Sequence, residues 1–151
     1  MLANFLGLSI MMSICSYTDI KKLEVEDKSI LVSGVLCLMM NLTRSIALRT
    51  WGGFTHMAVG AAVGGLIGFL MFLLGMGFGD TKVMLVMGGY LGAGLFFLSL
   101  LFAVVAGALY GLIWKTLIQK KSIRESLPFV PFLFFGCIAA ITYKSFLGGL
   151  F

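Results

Sequence analysis

From Thr50 to Gly79 the chain carries no Asp, Glu, Lys or Arg, and from Val83 to Trp114 it again carries none. A soluble domain cannot sustain such runs, because about 20 consecutive apolar residues already make a helix that crosses a bilayer and leave no polar face for water. Met1 to Thr18, Ser29 to Thr43 and Ser126 to Tyr143 are likewise free of charge. With 60% hydrophobic and 11% charged residues and a mean hydropathy of +1.09, little is left over for a water-exposed domain. The expectation is an all-α polytopic membrane protein in which residues 1–151 form one membrane-embedded domain.

The run from Val83 to Trp114 is too long for one straight span and is interrupted by "GGYLGAG" at 88 to 94. It divides into a short helix and a full one, so six transmembrane helices are predicted, over 2–18, 29–43, 56–76, 82–91, 93–115 and 128–147. The fourth is short enough to need shielding by its neighbours or a locally thinned bilayer. The first span has no basic stretch ahead of it and reads as a retained helix, not a cleaved signal.

Six spans make two sets of ends, and the basic residues divide unevenly between them. Lys21, Lys22, Lys28, Lys82, Lys115, Lys120, Lys121 and Arg124 fall on one side, and Arg44, Arg49 and Lys144 on the other. The richer side is cytoplasmic by the positive-inside rule, which puts both termini outside. The net charge of +5 is thereby explained by topology and anionic lipid, with no need of nucleic acid. Cys15, Cys37 and Cys137 stand singly in apolar runs without CxxC spacing, which indicates neither zinc nor a disulfide framework.

This topology brings Asp19, at the end of the first span, and Asp80, just past the third, to the same membrane face. Asp19 alone reads as a juxtamembrane charge among Lys21, Lys22, Glu24, Glu26 and Asp27. Asp80 stands apart: it is the only acidic residue between Asp27 and Glu125, and "GMGFG" precedes it. Carboxylates near membrane depth are costly and usually have a task. Gly75, Gly77 and Gly79 alternate, each costing about 1 kcal/mol in a helix, so this segment is expected to unwind. Gly60, Gly64 and Gly68 form a small-xxx-small face suited to helix packing, expected to help draw the first and third spans together.

"GFGD" followed by "TK" resembles the GxGD motif of the type IV prepilin peptidases, membrane aspartic proteases that remove leader peptides from prepilins and pseudopilins. "YTDIKK" looks like that family's first aspartate with its basic follow-on. "GGYLG" resembles the glycine-rich segment after the second aspartate, and "LPFVPF" at 127 to 132 is similar to the entry to the last span. The resemblance covers most of the chain, although "LEVEDK" stands where the family usually has an Ile-Pro-Asn-like segment. It implies that Asp19 and Asp80 are the catalytic aspartates and that Gly77 and Gly79 shape the backbone carrying the second. Lys82 falls where the family often has a basic residue, either in the site or anchoring the cytoplasmic end.

The resemblance is to short, peptidase-only members, so no methyltransferase activity is expected. The implied enzyme is an aspartic endopeptidase of the cytoplasmic membrane, its site facing the cytoplasm. It would cleave prepilin or pseudopilin precursors within type IV pilus assembly or protein secretion, and membrane lipid is its other partner. Two carboxylates and water suffice for peptide hydrolysis, so no cofactor and no metal is expected. The lone His56 sits at the far end of the third span and reads as structural. "PFVPF", with Pro128, Phe129 and Pro131, reads first as a proline-started helix and alternatively as a lining of the substrate cleft. Glu24, Glu26 and Asp27 would attract a basic leader or simply be solvated, and "KTLIQKKSIRE" reads as a basic membrane-surface loop. The rival function is a small proton- or cation-coupled transporter using the same two aspartates; a non-catalytic assembly factor is a weaker one.

Overall fold

The computed structural model describes residues 2–22, 27–47, 49–75, 77–113 and 129–148. Among the described residues the regular elements are helices: α1 (Leu2–Lys22), α2 (Asp27–Ala47), α3 (Gly52–Leu73), α4 (Phe78–Tyr110) and α5 (Val130–Gly148). α2, α3 and α4 are long and apolar enough to cross a membrane, and α5 contains a shorter apolar stretch. Leu6, Ile10, Leu31, Leu66, Leu101 and Phe135 are among many large apolar side chains left on the outside. Such a surface suits hydrocarbon and not water. Glu24, Glu26, the 115–125 loop and Pro128 lie outside the described residues.

α4 has 33 residues, but Gly92 within it sits at φ 73, ψ 166, which is not helical. The break falls between the two segments expected at 82–91 and 93–115. It divides α4 into a first arm up to Leu91 and a second arm from Ala93 onward. Only glycine adopts this conformation readily, and a Cβ here would also collide with the His56 ring.

Contacts fix the direction of the two arms. The first arm runs antiparallel to α3: Gly60 meets Gly88, Gly64 meets Met84, and Gly68 meets Thr81. The second arm runs antiparallel to α5, with Gly136 against Ser99 and Ala103 and Phe132 against Gly107 and Tyr110. Since α5 begins beside Asp19 and α4 begins within electrostatic reach of it, both ends of α4 lie at one end of the bundle. The chain therefore doubles back at Gly92.

The α3 glycines do pack helices, but their partner is the first arm of α4. Among the described residues α1 makes no contact with α3; it packs on α2, α4 and α5. The expected meeting of the first and third spans is replaced by one between α1 and the helix that follows α3. The reason is steric. A Cβ on Gly60 would run into the Gly88 carbonyl, and one on Gly68 would sit 2.9 Å from the Thr81 Cα, so this stripe admits a backbone and nothing thicker. In lipid, where burying apolar area gains little, such close packing and interhelical hydrogen bonds hold helices together.

One of those bonds is the Thr81 hydroxyl donating to the Gly68 carbonyl at 2.9 Å. Another joins three helices: the Tyr90 hydroxyl donates to the Ser33 carbonyl of α2 at 2.9 Å and lies against Gly7 of α1. Leu8, Met11, Met12 and Cys15 of α1 share a core with Val83, Met84 and Met87 of α4 and Leu133 and Cys137 of α5. The three cysteines are buried and form no disulfide among the described residues.

Candidate active site

α1 carries Asp19 in its last turn, where the side chain is only 5% exposed. A carboxylate so enclosed needs donors, and it finds them on backbone. The Val130 N–H, at the start of α5, donates to Asp19 Oδ2 at 3.1 Å, and the Phe129 backbone adds a second hydrogen bond. The first N–H groups of a helix have no partner within it and carry the positive end of its dipole, so this is a natural seat for an anion. Pro131 has no N–H to leave unsatisfied and fits the first turn of α5. Phe129 and Pro131 are half-buried there, beside Asp19. Ser16, one turn back on the same helix face, is buried, and its Oγ has no hydrogen-bond partner among the described residues.

Asp80 lies in the first turn of α4. The expected unwinding is confined to the short connection between Leu73 and Phe78, so Asp80 sits on a helix instead of a loop. Among the described residues of the connection Gly75 is left-handed, at φ 98. Gly77 is the residue before the helix, in ordinary extended conformation at φ −64, ψ 141, and its carbonyl accepts the Asp80 N–H at 3.1 Å. A Cβ added at Gly77 would lie 3.8 Å from Asp80 Oδ2, so the carboxylate folds back over this position. Gly79 is half-buried within the first turn.

The two aspartates are close enough to interact electrostatically. The register of the helices accounts for it: α1 runs antiparallel to the first arm of α4, with Gly7 opposite Tyr90 at one end and Asp19 near Asp80 at the other. Lys82 turns away from the pair, forming an ion pair with Asp27 at the start of α2, Nζ to Oδ1 2.7 Å, and stacking over the Phe78 ring. It thus ties α4 to α2 at this end of the bundle. His56 lies at the opposite end, against Gly92. Among the described residues no cluster of three or more His, Cys, Asp or Glu could hold a metal ion.

Residues 6–112 match the type IV leader peptidase family, a stretch that includes both aspartates. The chain belongs to that family. Two curated relatives are prepilin leader peptidase/N-methyltransferases of Burkholderia pseudomallei, from strains 1026b and K96243. Each is 32% identical over 116 residues, covering 68% of this chain and 36% of the relative. The chain spans about a third of the length of these relatives. No solved structure matches it. The region matched to the family stops before α5, so the backbone donors that meet Asp19 come from beyond it.

Three parts of the site were not marked by the sequence pattern. Thr81 stands inside the string "GFGDTK", yet its bond to Gly68 depends on which face α3 presents. Gly75 belongs to the alternating glycines, and only its backbone angle separates it from Gly77. The Val130 amide is a main-chain group, and no side-chain pattern announces it.

Proposed function

We propose that the protein is a membrane aspartic endopeptidase that removes leader peptides from type IV prepilin-like or pseudopilin precursors at the cytoplasmic face of the cytoplasmic membrane. Residues 1–151 act as one membrane-embedded peptidase unit. The observation that carries this reading is the approach of Asp19 and Asp80, delivered by antiparallel helices in a chain of the leader peptidase family.

The chemistry follows from the pairing. Two interacting carboxylates in a partly enclosed place do not both ionise readily, so the resting pair holds one proton between them. The ionised member takes a proton from water as that water attacks the scissile carbonyl; the protonated member hydrogen-bonds the carbonyl oxygen. On collapse of the tetrahedral intermediate the C–N bond breaks and a proton passes from the pair to the leaving amine. No covalent enzyme intermediate forms. The backbone bonds to Asp19 Oδ2 orient its other oxygen, and the unpartnered Ser16 hydroxyl offers a further anchor for water. A proton- or cation-coupled transporter would use the same carboxylates, but their place at one end of the bundle and the family membership favour hydrolysis.

Coexpression with a candidate prepilin tests the reading. Asp19→Asn and Asp80→Asn are each expected to abolish leader removal while protein level and membrane insertion stay close to wild type. Cleavage at the wild-type rate by either variant would refute the dyad.

A further inference from the structure

At the end of the bundle away from the aspartates, α2, α3, both arms of α4 and α5 line an open cavity of about 320 Å³. Arg44 from the last turn of α2, His56 from near the start of α3 and Lys144 from α5 line it, and among the described residues no acidic side chain does. Among the described residues neither Arg44 nor Lys144 has an ion-pair partner. Basic residues at span ends often do no more than reach for water, but this cavity holds a second feature. Ser45, 6% exposed, lines it with a buried Oγ that has no hydrogen-bond partner among the described residues. Gly53, opposite, leaves room for that hydroxyl: a Cβ there would stand 3.3 Å from it.

Two exposed cations from separate helices, an imidazole and a buried orphaned hydroxyl, lining one cavity without a carboxylate among the described residues, describe a receptor for a multivalent oxyanion. The surroundings indicate its source. Trp51, 71% exposed, sits just ahead of α3 at this end, where an indole belongs at the level of lipid headgroups. Ile46 and Phe146, also exposed, flank the lining residues Ser45 and Lys144 in sequence with surface suited to acyl chains. We propose that this cavity binds the phosphate of an anionic phospholipid headgroup, at a site separate from the aspartate pair.

The test uses the full chain in neutral detergent, with phosphatidylglycerol and phosphatidylcholine titrated separately and binding read by native mass spectrometry and by the thermal midpoint. Phosphatidylglycerol is expected to bind and stabilise, with phosphatidylcholine much weaker. The Arg44→Gln/Lys144→Gln double variant should weaken phosphatidylglycerol binding by roughly tenfold or more, the loss of charge-assisted bonds. Arg49→Gln, which removes a charge at the same end outside the cavity, should leave it unchanged. Should the double variant fail to fold, Ser45→Ala is expected to weaken binding about fivefold by itself. Equal loss from Arg49→Gln, or undiminished binding by the double variant or by a folded Ser45→Ala, would overturn the site. Inorganic phosphate or glycerol 3-phosphate matching the lipid in affinity would instead make it a receptor for a soluble anion and overturn the lipid assignment.

Discussion

The two arms of α4 have similar apolar compositions and opposite surroundings. In the first, Val83, Met84, Val86, Met87, Gly88, Gly89, Tyr90 and Leu91 are all buried; in the second, Phe97, Leu101, Val104, Val105 and Leu109 face outward. Hydrophobicity cannot separate them, because lipid outside and protein inside are equally apolar. What separates them is the means of close approach: glycines that admit the α3 backbone, and hydroxyls that reach across to neighbouring helices. The arm that carries Asp80 is the one gripped on most sides, which fits the need to hold a carboxylate in fixed relation to another on a different helix.

Substitutions should expose that contrast in graded steps. The largest effect is expected from Asp80→Asn, about a thousandfold or more in leader-peptide cleavage, whereas Ser99→Ala in the second arm should leave turnover within about twofold. Next, Gly88→Val places a branched side chain against the Gly60 carbonyl and should cost more than about 3 kcal/mol, seen as loss of folded protein in detergent. Its counterpart Gly94→Val, where no atom lies within 4 Å of an added Cβ, should fold normally, and equal damage from both would erase the distinction between the arms. Thr81→Val removes the bond to Gly68 and should lower stability by about 1 kcal/mol, measured as a lower thermal midpoint. The smallest change is expected from Lys82→Gln: its partner Asp27 is exposed, so the loss should be about 0–1 kcal/mol and should fade further in high salt.

The helices were legible because charge and glycine punctuate an otherwise uniform sequence. Breaks at the Lys21–Asp27, Arg44–Arg49 and Gly75–Gly79 clusters locate the ends of α1, α2 and α3 to within a few residues, and "GGYLGAG" locates the reversal at Gly92. Pairing was harder to read. A helix that is apolar all round shows no periodic face, so the stripe of Gly60, Gly64 and Gly68 announces close packing without naming the partner. Asp80 was legible as an isolated acid after glycines, although the helix begins earlier than the alternating glycines suggest. Asp19 was legible through its resemblance to a family motif. Its backbone donors at the start of α5, more than a hundred positions away in sequence, were not.

That last contact has an evolutionary corollary. Because Asp19 is held by a main-chain amide, the identity of the side chain at position 130 does not enter the bond; that side chain answers only to its own fully buried place in the core, where apolar residues of similar volume are tolerated. Proline is the exception, since it lacks the donor. A lineage of such proteins can therefore exchange one apolar side chain for another of similar volume at this junction while the anchoring of its acidic group persists, unrecorded in any pattern of substitutions paired with the aspartate.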